Sequence, residues 1–202
     1  DTAARSLALL NAKTKEEAAR LAGDLTALNQ SRKALTEKGK EEAIRIIETT
    51  ELKNDRVLVV YLPDCHESLA GIIAGRIREK YHRPAFVLTG GETSAKGSGR
   101  SIESYSMYEE LVKCADLMIQ FGGHPMAAGL SIEEKNIEEF RRRLNVNCTL
   151  TDEELRPKIV IDVPMPVSYI TKELVEQISL LEPFGKGNTK PVFAQKNLRV
   201  LD

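Results

Sequence analysis

Residues 56–89 read RVLVVYLPDCHESLAGIIAGRIREKYHRPAFVLT, and this stretch decides the fold class. It begins with a short apolar run at 56–62 and ends with another at 84–89, each typical of a strand that is covered on both faces. Between them, apolar residues recur at helical spacing, which predicts a buried helix face made by Leu69, Ile72, Ile73 and Ile77. A strand–helix–strand unit favours parallel pairing. The sequence therefore predicts an α/β fold.

The remainder of this domain continues the same pattern. Further strands are predicted at 96–102 and 127–132, and helices at 107–114 and 136–144. We therefore expect residues 51–148 to form a mixed, partly parallel sheet flanked by helices.

The first fifty residues are predicted to form a long helix before the sheet domain. Apolar residues recur at helical spacing from Ala18 to Leu35, and Thr14 with Glu17 resembles a capping box at its start. A coiled-coil arm and a connector between two domains both fit this pattern, and the connector is the preferred interpretation for residues 1–50.

The character of the sequence changes after Thr151. One amphipathic helix and three strands are predicted there, at 171–181, 159–163, 191–194 and 198–201. These elements are too few to fill a domain, so residues 157–202 are interpreted as part of a β-rich unit, only marginally ordered compared with residues 51–148. Since the chain starts at Asp1 without a methionine, it is interpreted as a fragment of a longer protein.

Composition limits the possible functions. The net charge is −1, whereas a protein that coats nucleic acid nonspecifically is usually basic. Any DNA binding must therefore use a local basic groove. The apolar runs fall short of the roughly 20 residues that span a bilayer, and the three cysteines lack metal-ligand or disulfide spacing. We expect a cytoplasmic protein with reduced thiols and no membrane partner.

The first candidate binding motif is KGSGRS at residues 96–101. Gly97 and Gly99 allow close backbone approach, Ser98 offers a hydroxyl, and Arg100 can bind a phosphate through two parallel hydrogen bonds. The alternative is a glycine-bulged strand with a solvated lysine. The pattern is not a P-loop, because the Gly-Lys-Ser/Thr ending is missing.

The second candidate motif is FGGHPMAAG at residues 121–129. Gly122, Gly123 and Pro125 predict a rigid turn that carries His124, and the small neighbouring residues would let a ligand approach the imidazole. The alternative is a structural histidine.

A third candidate lies at His66 and Glu67, where a strand leads into a helix. Ligands commonly bind α/β proteins at such junctions, but the spacing alone favours the alternative that Glu67 and Ser68 cap the helix. The spacing does not require a metal site, and none is predicted. A local basic surface is predicted from Arg76, Arg78, Lys80, His82 and Arg83, whereas residues 141–143 are interpreted as a solvated helix face.

Four strings resemble a known family. GSGRSIESY (97–105), FGGHPMAAGLSI (121–132) and LAGIIAGRI (69–77) are similar to the DHH-associated domain of the RecJ-type single-strand DNA exonucleases, in the DHH phosphoesterase superfamily. The fourth, LEPFGKGNTKPVF (181–193), resembles the segment entering that family's oligonucleotide-binding barrel. Two features depart from the family: Cys65 stands where tryptophan is frequent, and the chain has no Asp-His-His string.

The resemblance implies an intact protein that is a 5′–3′ exonuclease for single-stranded DNA, used in DNA repair and recombination. Two-metal hydrolysis with Mn²⁺ or Mg²⁺ would take place on a separate DHH domain. No catalytic residue, metal ligand or cofactor is therefore expected in this chain, which alone should be inactive. Residues 1–50 would be the linker helix, 51–148 would grip the substrate and 157–202 would be part of an oligonucleotide-binding domain.

The resemblance also implies the binding residues and partners. Single-stranded DNA is the expected partner, with a single-strand-binding protein and a helicase as further candidates. The phosphate contacts are assigned to Arg100, Ser98 and the amides of Gly97 and Gly99, with His124, Gly122, Gly123 and His66 in the same groove.

Two other functions fit parts of the sequence. A DHH-family phosphodiesterase for short oligoribonucleotides or cyclic dinucleotides would share the glycine–histidine motif, but such relatives should end before residues 157–202. A binding module without chemistry is the third possibility. Assays of the intact protein with these substrates would distinguish the three.

Overall fold

The computed structural model describes residues 2–199. The chain divides into two compact units, residues 1–156 and 157–202. The first unit contains the predicted helix and sheet, and the second contains short elements only.

The long N-terminal helix is present but interrupted. Helix α1 covers Thr2–Leu10 and α2 covers Lys15–Thr49. The predicted capping box forms at the start of α2: the Thr14 hydroxyl accepts a hydrogen bond from the amide of Glu17, and the Glu17 carboxylate accepts one from the amide of Lys13. None of the described helices is both long and apolar enough to cross a bilayer.

The first unit is built on a five-stranded mixed sheet, which confirms the predicted fold class. Its strand order is β1-β2-β3-β5-β4, and only β1 and β2 are parallel. The strands are β1 (Leu58–Leu62), β2 (Ala85–Thr89), β3 (Ala95–Arg100), β4 (Met118–His124) and β5 (Ala127–Ile132). The helices flanking them are α3 (Glu67–Tyr81), α4 (Met107–Val112) and α5 (Ile137–Asn147).

Strand β4 is not predicted from the sequence. The glycine–histidine motif indicates a turn, but its residues 121–124 lie in β4, and only Pro125 and Met126 form the connection to β5. Glycine is a poor strand former, so the side chains give no strand signal. The backbone pairing with β5 determines the conformation instead.

Helix α3 packs on one face of the sheet over β2 and β3, and the end of α2 packs beside it over β1. Leu69, Ile73 and Ile77 are buried as predicted, but Ile72 is 39% exposed, so its assignment to this face was wrong. Ala70 and Ala74 complete the buried stripe instead. These small side chains bring α3 close to the sheet.

Helices α4 and α5 cover the opposite face of the sheet. Phe86 and Phe140 meet edge to face there, with ring centroids 5.4 Å apart. Asn145 of α5 fixes the approach to β1: its side-chain oxygen accepts hydrogen bonds from the amides of Arg56 and Val57, and its amide group donates to the Val57 carbonyl. The sheet is therefore covered on both faces at β1 and β2.

The second unit contains less regular structure than predicted. A helix, α6 (Lys172–Ser179), is capped by the Thr171 hydroxyl, while the strands β6 (Val163–Pro164) and β7 (Phe193–Ala194) pair in parallel. The predicted strand at 159–163 was therefore wrong over residues 159–162. Of the strand predicted at 198–201, residues 198 and 199 form no strand, and residues 200 and 201 lie outside the described part of the chain.

No residue described between 157 and 199 is buried. Amide hydrogens there are therefore expected to exchange with solvent faster than those of β1, whose strand is covered by helices on both faces. Hydrogen exchange followed by mass spectrometry would measure the difference. Exchange in 157–199 that is as slow as in β1 would contradict the expectation of marginal order.

Candidate nucleic-acid interface

On the face of the sheet that carries α3, the helix lies over β2 and β3 and leaves β5 and β4 open. Because side chains alternate along strands and the register aligns them across strands, three rows of residues share this open face. The rows are Lys96–Ser131–Gln120, Ser98–Gly129–Gly122 and Arg100–Ala127–His124. All nine are exposed or half-buried, and their neighbours on β3 and β5 alternate with them as buried residues. The open face therefore has mainly polar residues along β3 and β4, and small residues along β5 between them.

This face forms one side of a groove of about 620 Å³. The start of α3 forms the other side, through Glu67, Ser68 and Ala70. A Cβ atom added at Gly122 would meet no atom within 4 Å, and one at Gly129 would meet only the Gly97 carbonyl oxygen, at 3.8 Å. The floor of the groove is therefore open because Gly122 and Gly129 have no side chains. A methyl group at either position would not clash with a neighbouring group.

Gly97 and Gly99 have a different reason to be glycine. A Cβ atom at Gly99 would lie 2.5 Å from Met107 Sδ and 2.6 Å from the Phe86 ring, and one at Gly97 would lie 3.1 Å from the Leu130 side chain. Both residues are buried in β3, which pairs with a strand on each side, so their amides face the sheet ladder. Packing explains these glycines, and the hydrogen-bond donors that face the groove are side chains.

Arg100 lies at the end of β3 with its side chain half-buried. Its Nη1 donates to the Gly99 carbonyl at 2.7 Å, and the guanidinium lies against Gly71 of α3, where a Cβ atom would be 2.7 Å from Nη2. Gly71 makes room for this guanidinium because it has no side chain. Within the described residues Arg100 forms no ion pair with a carboxylate.

His124 lies in the same row as Arg100, two strands away, which places their Cα atoms roughly 10 Å apart. Its side chain is exposed. The preceding Gly123 has a φ of +154°, and a Cβ atom there would lie 2.6 Å from the Ala128 Cα, so glycine is required for the hairpin. The pair can therefore contact one ligand that bridges the row.

Lys96 and Glu67 form an ion pair at the other end of the groove, with 2.9 Å between Nζ and Oε2. The hydrogen bond from Lys96 lowers the pKa of the Glu67 carboxyl, and the same bond raises the pKa of Lys96. Both side chains are about half exposed. The pair is a surface contact that a bound anion can compete with.

His66 is the N-cap of α3. Its Nδ1 accepts a hydrogen bond from the Ser68 amide at 3.2 Å and lies 2.8 Å from the Ser68 hydroxyl. The sequence predicted that Glu67 and Ser68 cap the helix. The cap lies one residue earlier, at His66, so the predicted position was wrong by one residue. His66 therefore has a structural role at the helix start, and its ring is exposed beside the groove.

The predicted basic cluster on α3 is largely paired. Arg76 lies 3.0 Å from Glu79, and Arg83 donates to two backbone carbonyls. In the other basic run, Arg142 is exposed as predicted, but Arg141 forms a half-buried pair with Asp55 at 2.5 Å. Neither region provides the unpaired basic surface that the sequence suggested.

Gln120 and Ser131 line the groove and were not recognised from the sequence. Ser131 could have been found from the alternation within the predicted strand at 127–132, but Gln120 lies in the strand that was missed. Among the described residues, no group of three or more His, Cys, Asp or Glu side chains could hold a metal ion. The groove therefore offers hydrogen-bonding groups and the Lys96–Glu67 ion pair, and its described residues do not fit a divalent metal.

The five-stranded sheet and the groove beside the N-terminus of α3 together define a class of domain, which the comparison with known families identifies. Residues 54–148 match the DHHA1 domain family, and residues 161–202 match the RecJ OB domain family. The chain is 36% identical, over 91% of its length, to the single-stranded-DNA-specific exonuclease RecJ of Bacillus subtilis. It belongs to the RecJ family.

Solved structures agree with this assignment. The chain is similar to RecJ from Thermus thermophilus in complex with Mg²⁺, with a TM-score of 0.79 and 28% identity over 95% of this chain. The structure of the same protein with Mn²⁺ gives a TM-score of 0.78 at 28% identity over 96%. The chain spans 24% of the Bacillus protein, and 30% and 28% of the two Thermus chains.

Gly99 is crowded by neighbouring side chains and Gly122 is not, so we expect an added methyl group to have different effects at the two positions. Gly99→Ala should destabilise the fold by about 1–3 kcal/mol, because the methyl group meets Met107 and Phe86. Gly122→Ala should leave stability nearly unchanged and weaken binding of single-stranded DNA, because its methyl group enters the groove. Chemical denaturation and fluorescence anisotropy would measure both. Unchanged binding by Gly122→Ala would show that the ligand does not touch this floor.

Proposed function

We propose that this chain grips the phosphate backbone of single-stranded DNA for a 5′–3′ exonuclease that acts in DNA repair and recombination. The observation that carries the proposal is the guanidinium of Arg100, which forms no ion pair with the described residues and lies on the same face of β3 as the groove-lining Ser98, while the nearby cations Arg76 and Lys96 are paired. The hydrolysis is assigned to divalent metal ions held by a DHH domain elsewhere in the protein. The family assignment supports the nuclease class.

The Arg100 guanidinium is suited to a phosphate group. It has five N–H donors, of which Nη1 is engaged with the Gly99 carbonyl, so donors are left for two parallel hydrogen bonds to phosphate oxygens. Ser98 lies on the same strand and the same face, two residues away, and its hydroxyl adds a donor. Because phosphates carry no sequence information, such a site would bind every sequence.

His124 and the groove floor extend this site. A ligand bound by Arg100 can reach His124, because the residue between them in the row is Ala127, whose side chain is only a methyl group. The open positions at Gly122 and Gly129 allow a sugar–phosphate backbone to lie close to the sheet. We assign to His124 a hydrogen bond to a phosphate or terminal nucleotide, and to His66 a place at the edge of the same groove.

Residues 157–202 are proposed to hold the strand further along, in agreement with the match to the RecJ OB domain. A single-strand-binding protein and a helicase are proposed as protein partners, and the cytoplasm as the location. The match over residues 161–202 also disfavours the alternative of a phosphodiesterase for short oligoribonucleotides or cyclic dinucleotides, since such an enzyme would not need a second binding unit.

Arg100→Ala should weaken binding of single-stranded DNA by about 1.5–3 kcal/mol, the range for a hydrogen bond to a charged group. The loss should be equal for different sequences, and the salt dependence should become shallower by about 0.7 for one lost phosphate contact. Anisotropy titrations of the 202-residue chain at several salt concentrations would measure these effects.

Arg100→Lys is the matched control for charge. It should recover only part of the affinity, because an ammonium group cannot form the two parallel bonds. A thermal melt separates binding from folding. If Arg100→Ala melts several degrees lower yet binds DNA normally while folded, Arg100 is structural and the proposed site loses its main contact.

The chain should hydrolyse no DNA when Mn²⁺ or Mg²⁺ is added, because its described residues include no cluster that could hold these ions. A nuclease assay with 5′-labelled single-stranded DNA, short RNA and cyclic dinucleotides would test this. Metal-dependent hydrolysis that copurifies with the chain and is lost in His124→Ala would contradict it.

A further inference from the structure

Two cations of β3, one lining the groove and one beyond it on the same face, differ in their pairing. Lys96 and Arg100 point to the same face four residues apart, so their Cα atoms are roughly 13–14 Å from each other. Arg100 has no carboxylate partner among the described residues, whereas Lys96 is paired with Glu67. Lys96, which lines the groove, is therefore compensated, and Arg100, beyond Ser98 on the same face, is the cation without a carboxylate partner among the described residues.

Glu67 is held in position for this pairing by the start of α3. It is the first residue of the helix after the His66 cap, and its carboxylate lines the groove opposite β3. A carboxylate is favoured at a helix N-terminus, and the Lys96 hydrogen bond stabilises its charged form, which lowers its pKa. The negative charge is therefore maintained at neutral pH at the far end of the groove.

We propose that Glu67 determines where phosphates bind in this groove, by holding Lys96 in an ion pair and so restricting phosphate binding to the Arg100 end. A strand that extended along the whole of β3 would have to place a phosphate beside the Glu67 carboxylate or displace it from Lys96. A strand whose phosphate lies at Arg100 meets no such carboxylate. Glu67 is thus a specificity-determining residue of the groove. The inference rests on the proposed function, because it requires a groove that binds phosphates.

Glu67→Gln keeps the size of the side chain and removes its charge, which frees Lys96. The affinity of the 202-residue chain for a 5′-phosphorylated oligothymidylate should rise about threefold to tenfold at low salt. The salt dependence should become steeper by about 0.7, as expected for one additional phosphate contact on a single strand. Anisotropy titrations measure both quantities, and a thermal melt checks that the variant is folded.

The matched control is Glu79→Gln, at the other end of the same helix. Glu79 pairs with Arg76, and about 18 Å of helix separate it from Glu67, so this variant changes the net charge equally without touching the groove. It should leave the affinity and the salt dependence unchanged. An equal gain from both variants would mean that only overall charge matters, and would overturn the proposal.

A second comparison tests whether Glu67 acts through Lys96. The change Glu67→Gln is made again in a Lys96→Gln background, where most of the affinity gain should disappear. A gain of the same size in both backgrounds would overturn the proposal, because Glu67 would then act without Lys96. Failure of this proposal is distinguishable from failure of the proposed function: if Arg100→Ala weakens binding but Glu67→Gln changes nothing, only the role of Glu67 is rejected.

Discussion

The contact of Phe86 and Met107 with the backbone of Gly99 is the packing on which both the core and the groove depend. It presses β2 side chains and α4 against β3 on the covered face, with no room for a methyl group. Because side chains alternate along a strand, fixing Gly99 inward fixes Ser98 and Arg100 outward. A shift of one residue would bury the arginine and expose the core face. The site is therefore oriented by the hydrophobic packing behind it.

Electrostatics distinguish Arg100 from the cations around it, in a chain that contains almost equal numbers of acidic and basic residues. Neighbouring acids pair with Arg76, Lys96 and Arg141, so these cations are compensated. The Arg100 guanidinium instead lies over Gly71 and a backbone carbonyl. An overall charge of −1 is therefore compatible with an anion-binding groove, because local pairing, rather than total charge, decides which cation is available.

The sequence predicted most of the fold, since the strands around 58–62 and 85–89 and helix α3 have strong apolar patterns. It failed where backbone pairing, not side chains, determines structure: β4 carries two glycines, and the short strand β6 has one neighbour. The family resemblance pointed to Arg100 and His124, and the register places them in one row. Gln120 and the Glu67–Lys96 pair could not be predicted, because they depend on the unpredicted strand and on the approach of α3 to the sheet.

Helix α2 has mechanical properties that follow from how it is packed. Two of its three buried residues, Ala43 and Ile47, lie near its C-terminal end against α3, and the third is Leu21, whereas Leu28 and Leu35 are exposed. From Ala43 back to Lys15 the helix extends about 42 Å. A tilt of about 5° at the packed end would therefore move the other end by about 4 Å. The helix can act as a lever arm, turning a slight rotation at α3, whose first turn lines the groove, into a displacement of several ångströms at a distance.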